Sequence, residues 1–576
     1  MARTVLHNRA FARIAPMRAK LFFYLCLAMA GYLGIRLYLV QVIDGPKLAR
    51  EALAQDSNTV EVFARRGFIA DRNGTVLVRS LPSESVYAVP RDLTDPDATV
   101  AKLEAIFGKL DPSIVADLHD KSLWFVWIAR KIPVELAQRV RAANLGGGVQ
   151  LKEEVTGKRI DMVGDMLSTI LGFVGTDENG LDGLEYEFDS LLRGQSGQVT
   201  LETDDFGRPI PFGHEHVITP AQPGLSLELT VDSYLQFVTE EALDQEVAKS
   251  HAKDGTAIVM DPWTGEILAM ANIPHFDPNH FWKYPARDYE DRAVVDTYEP
   301  GSTYKLVTAA AALTSGRVTL QTRFPARDAI TIDGHTIHNA DDDMPITGDT
   351  ETLGEIVEYS HNVGAAEVGL ATGAQNFYSM ERKAGFGSPT DIELPGESPG
   401  IVPSPDQWSE LSLPTMSFGQ GVSVTPIAMA RYYCAIANGG LLMRPRIVRA
   451  IEDQRGKIIY QYPPEVEHRV FSEKIAAELR AMLRSVVTHG TGRFVAQIPG
   501  YTTAGKTGTA QMVVDGQYAP GHYAASFIGM IPYQHPRYVI YVKIEDPQGM
   551  YYGSEIAGPV FARIAREAML HAGVLP

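Results

Sequence analysis

Three short motifs in this chain combine hydroxyl, amine and amide side chains, the groups that acyl transfer through a serine ester requires. In chain order they are Ser302-Thr303-Tyr304-Lys305, Ser360-His361-Asn362 and Lys506-Thr507-Gly508-Thr509. Each pattern alone is short enough to arise by chance. Together, in this order, they predict one active site that is built around a serine nucleophile.

Ser302 is the candidate nucleophile, at the start of a predicted buried helix. The turn signal Glu299-Pro300-Gly301 precedes it, and the apolar residues 306–313 follow it. Lys305 lies three residues further on, so both side chains share one helical face. A lysine accepts the serine proton only when it is uncharged. Burial and a second cation nearby, here Lys506, favour that uncharged form.

Ser360 and Asn362 flank His361 in the second motif. Small polar side chains two residues apart in a turn can point into one cleft, where the hydroxyl can pass a proton and the amide can hold a substrate carbonyl. The alternative is an ordinary polar turn that caps the helix after it. His361 itself is expected to lie at the surface rather than to act in catalysis.

The third motif precedes a run of strand-like residues, so we expect it at the edge of a sheet, where an extended peptide can pair with it. Gly508 would let the backbone of that peptide approach closely. The Thr509 N–H would be an oxyanion donor, beside the N–H groups at the start of the serine helix. The hydroxyls of Thr507 and Thr509 could hold a terminal carboxylate.

Two other patterns compete with this interpretation. Residues 250–253 form a second S-x-x-K, but no Pro-Gly turn precedes them and Asp254-Gly255 breaks any helix after them, which indicates a chance match. Residues 500–507 fit the phosphate-binding pattern G-x-x-x-x-G-K-[ST], which must lead from a strand into a helix. Gly508 and Asp515-Gly516 make a poor helix, so a nucleotide site is disfavoured.

The composition excludes some classes of function. With 576 residues the chain has room for two or three folded domains, and its hydrophobic content of 45% is that of a globular protein. A formal net charge of −18 argues against a nucleic-acid partner, which would require a basic face. The two cysteines, Cys26 and Cys434, lie far apart in the sequence and imply no disulfide framework.

The N-terminus has the pattern of a membrane anchor. Residues 1–20 are basic and contain no Asp or Glu, and residues 21–43 form an apolar run long enough to span a bilayer as one helix. The positive-inside rule keeps residues 1–20 in the cytoplasm as a tail and exports everything after Asp44. A cleaved signal peptide, with Ala28-Met29-Ala30 as its cleavage pattern, is the alternative, but the apolar run continues well past it.

Beyond the anchor we expect a first domain of residues 44–224 and a second of residues 225–576, with a Gly- and Pro-rich stretch near their boundary at residues 206–226. In the second domain, helices are predicted over residues 232–249 and 559–571, and strands at residues 257–260, 266–270, 510–514, 523–531 and 538–542. Strands near both ends with helices between them indicate an α+β domain whose sheet joins distant parts of the sequence.

On these residues the chain resembles a class B penicillin-binding protein, a D,D-transpeptidase of peptidoglycan. The resemblance rests on the anchor, on the three motifs, and on four further stretches: residues 66–74, Gly183-Leu184-Glu185, Glu299-Pro300-Gly301 and Gly419-Gln420-Gly421. It implies an elongated mixed α/β pedestal domain of the dimerisation type. A transpeptidase domain would follow, with an antiparallel sheet sandwiched by helices as in serine β-lactamases.

The resemblance also implies roles for the motif residues. Ser302 would be the nucleophile and Lys305 its base. The other residues implied in catalysis are Ser360, Asn362 and Lys506, and those implied in substrate binding are Thr507, Gly508 and Thr509. The donor would be a stem peptide ending in D-Ala-D-Ala, the acceptor would be an amine of a neighbouring stem, and β-lactams would inhibit. No metal or cofactor is implied.

Within the class, the chain is more similar to septal, division-specific enzymes than to elongation-specific ones. This rests on its length, on Asp205-Phe206-Gly207-Arg208 and on residues 360–364. The partners implied are a polytopic septal glycosyltransferase and other division-complex membrane proteins. The protein would be a single-pass protein of the inner membrane with its catalytic domain in the periplasm. An elongation role, or a membrane-anchored β-lactam sensor without turnover, are the alternatives.

Two related enzymes are disfavoured. A β-lactamase must hydrolyse its serine ester, and no Glu-x-x-Leu-Asn motif for that step occurs between Ser302 and Lys506. A bifunctional enzyme would need a glycosyltransferase domain, for which the sequence offers neither a motif nor room.

Overall fold

The computed structural model of the protein describes residues 3–48, 57–202, 215–340, 344–514 and 516–576. Asp205-Phe206-Gly207-Arg208, part of the Gly- and Pro-rich stretch, and Asp515 lie outside these ranges. Two compact units can be distinguished. One consists of Met1–Ala64 with Gln195–Gln222, and the other consists of Arg65–Gly194 with Pro223–Pro576.

The strands and helices are numbered here in chain order. The strands are β1 Ser57–Val62, β2 Ile69–Ala70, β3 Val76–Ala88, β4 Val126–Pro133, β5 Val149–Asp161, β6 Gly197–Glu202, β7 Glu215–Thr219, β8 Ser226–Leu229, β9 Asp254–Met260, β10 Ile267–Ile273, β11 Arg323–Pro325, β12 Ala329–Ile332, β13 His335–His338, β14 Thr350–Thr352, β15 Leu441–Met443, β16 Val448–Glu452, β17 Ile458–Gln461, β18 Val466–Arg469, β19 Ala504–Val514, β20 Gln517–Ile531 and β21 Tyr538–Glu545. The α-helices are α1 Arg3–Tyr38, α2 Pro96–Phe107, α3 Pro112–His119, α4 Val134–Ala142, α5 Ser168–Leu171, α6 Gly183–Glu187, α7 Asp189–Leu192, α8 Ser233–Ser250, α9 Lys305–Ser315, α10 Leu353–Tyr359, α11 Asn362–Thr372, α12 Ala374–Lys383, α13 Ser412–Met416, α14 Pro426–Ala437, α15 Glu473–Thr488 and α16 Gly553–His571.

The first unit contains the anchor candidate and a small sheet. α1 continues into a π-helical turn at Leu39–Ile43. Within the described ranges, Met17–Ile43 is the one helical segment long and apolar enough to cross a bilayer, with a mean hydropathy of 1.6. The predicted span of residues 21–43 falls inside it. In the sheet, β6 pairs antiparallel with β1 on one side and with β7 on the other.

The second unit contains two main sheets, of which the first has the order β17-β16-β8-β2-β3-β4, with β5 also paired to β3. β2 and β8 are parallel, whereas the other pairs are antiparallel. Asn73-Gly74 lies at the turn between β2 and β3. Helices α2, α3 and α4 share a core with β3 and β4 that includes Val86, Leu103 and Val140.

The second sheet has the order β10-β9-β21-β20-β19 and is antiparallel throughout. Alternate residues of a strand point to opposite faces. In β9, Ala257 and Val259 belong to a core that includes α8 and α16 residues, whereas Ile258 and Met260 belong to a core with α9 and α14 residues. The predicted α+β architecture, a sheet between helices built from strands near both ends of the domain, is confirmed.

The last helix is longer than predicted. α16 begins at Gly553 rather than near Pro559, which lies within the helix. A Cβ at position 553 would lie 2.3 Å from the carbonyl oxygen of Gly508 and 2.4 Å from that of Ser526. Only a glycine therefore lets the start of α16 touch β19 and β20, beside the third motif.

Candidate active site

Ser302 lies in a 3-10 turn, Gly301–Tyr304, that leads directly into α9. Gly301, at φ +53°, donates its N–H to the Gly419 carbonyl at 3.0 Å. Tyr433 donates its hydroxyl to the Thr303 carbonyl at 2.9 Å, so the turn is fixed from two sides. Lys305 is 1% exposed, whereas Ser302 is half-buried. The hydroxyl is thus accessible to a substrate, and the amine is shielded from water.

The three sequence motifs meet at the hydroxyl of Ser360. Lys506 donates to Ser360 Oγ at 2.9 Å, and Lys305 donates to the same oxygen at 3.3 Å. Lys305 also donates to Asn362 Oδ1 at 2.8 Å and to the Ser360 carbonyl. Ser360 occupies this position because it ends α10 in the left-handed conformation, at φ +73°. A hydroxyl oxygen that accepts from two amines can donate its own proton to a third group.

One cavity joins residues of all three motifs. The predicted site residues that line it are Ser302, Ser360, Asn362, Thr507 and Thr509, and its other lining residues are Gly301, Ala340, Phe418 and Gln420. Lys305 and Lys506 are buried behind this surface and reach it through their bonds to Ser360. The arrangement combines a hydroxyl nucleophile, a second hydroxyl and two amines, which is the set that acyl transfer to serine needs.

The third motif lies at the outer edge of the sheet, as expected, but inside β19, because the strand begins at Ala504 and not after the motif. The phosphate-binding alternative is contradicted, because Lys506 is in a strand and not in a loop before a helix. The hydroxyls of Thr507 and Thr491 form a hydrogen bond at 2.9 Å. The hydroxyl of Thr509 accepts the Gly553 N–H at 3.1 Å, which ties the edge strand to the start of α16.

Gly508 is required by the packing of the protein itself. A Cβ at this position would lie 2.4 Å from Ser526 Oγ and 3.0 Å from Thr303 Cγ2. The absence of a side chain lets β19 approach the turn that carries the nucleophile candidate. The expectation that Gly508 serves the approach of a substrate remains a prediction, whereas this reason within the fold was not visible in the sequence.

The prediction that His361 lies at the surface is wrong. Its side chain is 2% exposed. Nε2 donates to the Met344 carbonyl at 2.6 Å, and Nδ1 lies 2.5 Å from a carboxylate oxygen of Glu351. His361 therefore fixes the turn between Ser360 and Asn362 from behind. Glu351 is ten residues away in sequence and forms no local pattern with His361, so the contact depends on the tertiary fold.

Tyr304, inside the first motif, is anchored to a carboxyl group that the sequence did not single out. Its hydroxyl donates to Glu381 Oε1 at 2.9 Å, and both side chains are fully buried. Burial raises the pKa of Glu381 from 4.5 to about 8. The protonated acid offers an oxygen to Tyr304 without bringing a charge beside the nucleophile turn.

The wild type is expected to lose stability as the pH rises, because Glu381 is buried, and Glu381→Gln is expected to abolish this loss. Between about pH 4.5 and pH 8 the native protein keeps a proton that the unfolded chain has released, so the free energy of unfolding of the wild type falls as pH rises through this window. Glutamine keeps an oxygen for Tyr304 and does not titrate. The free energy of unfolding of the variant, relative to that of the wild type, should therefore rise by roughly 2 kcal/mol or more from about pH 5 to about pH 8. Thermal unfolding of both proteins at the two pH values measures this change. A stability difference between variant and wild type that is the same at both pH values would contradict the prediction.

The residues of the second S-x-x-K match, Ser250 and Lys253, form structural contacts away from the cavity. Ser250 is the last residue of α8 and donates its hydroxyl to the Glu246 carbonyl at 2.6 Å. Lys253 donates to Glu545 at 3.0 Å. Neither residue lines the cavity at Ser302.

Two protein families match most of the chain. Residues 255–566 match the penicillin-binding protein transpeptidase domain. Residues 61–229 match the penicillin-binding protein dimerisation domain. All the predicted site residues fall within the first match.

Individual proteins are similar over nearly the whole chain. Stage V sporulation protein D of Bacillus subtilis is 35% identical over 575 residues, which covers 97% of this chain and 87% of that protein. Peptidoglycan D,D-transpeptidase FtsI of Escherichia coli is 32% identical, over 93% of this chain and 89% of that protein. The crystal structure of penicillin-binding protein 3 from Mycobacterium tuberculosis has a TM-score of 0.68 at 28% identity, over 89% of this chain and 98% of that chain.

Proposed function

The chain belongs to the penicillin-binding family of peptidoglycan D,D-transpeptidases, and from this premise we propose that it cross-links stem peptides through an acyl ester on Ser302. One observation carries the proposal: Lys305 and Lys506 converge on the Ser360 hydroxyl beside a cavity that Ser302 lines. We further propose that residues 44–224 are the pedestal and residues 225–576 the catalytic domain.

In the acylation step, Lys305 would take the proton of Ser302 Oγ as that oxygen attacks the carbonyl carbon of the penultimate D-Ala. The carbon–nitrogen bond to the terminal D-Ala then breaks. The departing nitrogen needs a proton, and the Ser360 hydroxyl is placed to supply it, because Lys305 and Lys506 both donate to its oxygen. Lys305 could then pass the proton that it took from Ser302 to Ser360, which would restore the hydroxyl of Ser360.

Substrate binding would use the edge of β19. An extended peptide can add to this edge through its backbone, with its terminal carboxylate at Thr507 and Thr509. Asn362, whose amide oxygen is held by Lys305, would hold a substrate carbonyl through its NH2 group. The N–H groups of Ser302 and Thr509 would bind the oxyanion. In the second step an amine of a neighbouring stem attacks the ester, and Ser302 regains its proton.

β-Lactams are the proposed inhibitors, because an amide carbonyl in a strained ring would acylate the same serine. The Mycobacterium tuberculosis structures that are similar to this chain include complexes with aztreonam and with ampicillin. When the ring carbon–nitrogen bond breaks, the nitrogen takes up a proton but stays attached to the acyl group, so it would remain in the cavity and block the amine acceptor.

We propose a single-pass protein of the inner membrane, with the N-terminus in the cytoplasm and the catalytic domain in the periplasm. The apolar segment Met17–Ile43 and the basic residues before it support this orientation. Its partners would be a polytopic septal glycosyltransferase and other membrane proteins of the division complex. The length of the chain and residues 360–364, in which it resembles septal enzymes, support a septal role, whereas an elongation role is the alternative.

Turnover separates a transpeptidase from a sensor that only forms the ester. The purified full chain is incubated with a pentapeptide ending in D-Ala-D-Ala and with an amine acceptor. We expect release of D-alanine together with the peptide–amine product, and neither from Ser302→Ala. An ester that accumulates on Ser302 without passing to the amine would favour the sensor.

The septal role is tested in cells by depletion. Loss of a septal transpeptidase blocks division and leaves growth in length intact, so depleted cells should form filaments. Cells that become round instead would assign the protein to elongation.

A further inference from the structure

A second cavity, of about 210 Å³, shares no lining residue with the cavity at Ser302. One wall is formed by the end of β5, by residues 172–176 and by Glu178, and the opposite wall by four residues of the 3-10 segment Pro278–Lys283. Phe173 stacks on Phe281 with the ring centroids 4.1 Å apart. Trp282 also lines the cavity and is 63% exposed. The volume is below the range of about 300–1,000 Å³ typical for drug-sized ligands and suits a small metabolite.

Three charged side chains of this cavity each have a buried atom without a hydrogen-bond partner among the residues that the structure describes. These atoms are Arg159 Nη2, Asp161 Oδ2 and Glu178 Oε2. The side chains are only 9%, 7% and 5% exposed, respectively. Buried polar groups are nearly always paired, so one unused donor and two unused acceptors on one cavity indicate a ligand.

The other atoms of these side chains are held firmly. Arg159 Nε donates to Glu185 at 2.6 Å, the Val163 N–H donates to Asp161 Oδ1 at 2.9 Å, and Lys131 donates to Glu178 Oε1. Arg159 and Asp161 are two residues apart on β5, so both side chains face the same side of the sheet. The unused atoms are thus parts of a rigid wall and not of mobile surface groups.

The backbone of this wall is also strained. Lys131 and Glu178, which form an ion pair, lie in the left-handed region at φ +50° and φ +67°, where residues other than glycine are uncommon. Such conformations persist where a binding site requires them. Burial raises the pKa of Asp161 to about 7, because a buried carboxylate without a full set of partners is costly.

We propose that this cavity binds a free α-amino acid as its zwitterion. The carboxylate would pair with Arg159, the ammonium group would pair with Asp161 and Glu178, and the side chain would lie against Phe281 and Trp282. A simple carboxylate would meet two acidic side chains and leave their oxygens unpaired. A simple amine would leave the Arg159 donor unpaired, so a ligand with both charges is the one that satisfies all three unused atoms. The cavity is also lined by Lys158 and by three charged side chains that already have ion-pair partners, Arg130, Lys131 and Glu185.

The bound amino acid would connect two parts of the second unit. Asp161 ends β5, whereas the 3-10 segment with Phe281 and Trp282 follows β10 of the sheet that carries the third motif. Asn279 already links them, since its side chain accepts the Asp161 N–H and donates to the Asp161 carbonyl, both at 3.0 Å. Binding should therefore raise the Tm as the ligand concentration rises.

The test uses the full chain in detergent after reaction with penicillin, so that the cavity at Ser302 is blocked. Calorimetric titrations with L-phenylalanine, D-phenylalanine and D-alanine are compared with 3-phenylpropionate, which lacks the ammonium group, and 2-phenylethylamine, which lacks the carboxylate. At least one amino acid should bind at least about tenfold more tightly than both probes. No saturable binding of the three amino acids up to about 10 mM would overturn the proposal, as would equal binding of either probe.

Asp161→Asn is the critical variant. Its amide oxygen can still accept the Val163 N–H, whereas the unpaired carboxylate oxygen becomes an NH2 group, so affinity for the amino acid should fall by about tenfold or more. Asp120→Asn is the control, because Asp120 accepts the Ser122 N–H at 2.9 Å and neither residue lines the cavity. Unchanged binding by Asp161→Asn, in a protein with unchanged Tm, would place the ligand elsewhere and overturn the assignment.

Discussion

Ser302→Ala is expected to abolish covalent labelling by a fluorescent penicillin, with a loss of acylation above about 1,000-fold. The hydroxyl oxygen is the atom that forms the ester, and alanine offers no replacement. The fold should survive, because the Gly301 N–H donates to the Gly419 carbonyl and the Tyr433 hydroxyl donates to the Thr303 carbonyl, so the turn is held without the serine side chain. Fluorescence on a denaturing gel measures the label, and thermal unfolding measures the fold.

Ser250→Ala provides a matched control for this prediction. It removes a hydroxyl from the same S-x-x-K pattern, but Ser250 bonds to the Glu246 carbonyl at the end of α8 and lines no part of the catalytic cavity. Labelling of this variant should equal that of the wild type. Labelling that survives in Ser302→Ala would remove Ser302 from its proposed role.

Local signals in the sequence were sufficient for the elements that carry the site. Pro300-Gly301 before an apolar run predicted the turn and helix at Ser302, and the apolar run at residues 510–514 predicted a strand after the third motif. Both depend on residues within one or two turns of chain, where propensity and pattern act directly. The meeting of the three motifs at Ser360 depends on contacts 55 and 146 residues apart, which no local pattern encodes. The resemblance to a family supplied that expectation.

The missed features share a different physical cause. A Cβ at position 508 would collide with Ser526 and Thr303, and a Cβ at position 553 would collide with the carbonyl oxygens of Gly508 and Ser526. His361 is buried because its two ring nitrogens bond to Glu351 and to the Met344 carbonyl. Each is an effect of tertiary packing on a residue whose type alone favours a turn or a surface.

The second cavity was equally hidden in the sequence. Arg159, Asp161 and Glu178 form no motif in the sequence, and charged residues are usually solvated at the surface. They become informative only when the structure shows that each is buried with one atom unpaired.

Lys305→Ala is expected to slow acylation by penicillin by about 100- to 10,000-fold, as the loss of a general base should. Lys253→Ala, in the chance S-x-x-K match, should acylate at the wild-type rate, because Lys253 contacts Glu545 and not the cavity. Stopped-flow kinetics with a chromogenic cephalosporin would measure the rates, after thermal unfolding has shown that each variant is folded.

Lys305 also holds Asn362 Oδ1 and the Ser360 carbonyl, so its removal could act through position rather than through proton transfer. Asn362→Ala separates the two causes, because it removes the held amide and leaves the amine in place. If Lys305 is the base, Lys305→Ala should reduce the acylation rate by at least about tenfold more than Asn362→Ala does. The double variant should be slower than either single variant. Equal rates in the two single variants, with no further loss in the double variant, would make Lys305 a positioning residue and leave the proton of Ser302 to another group.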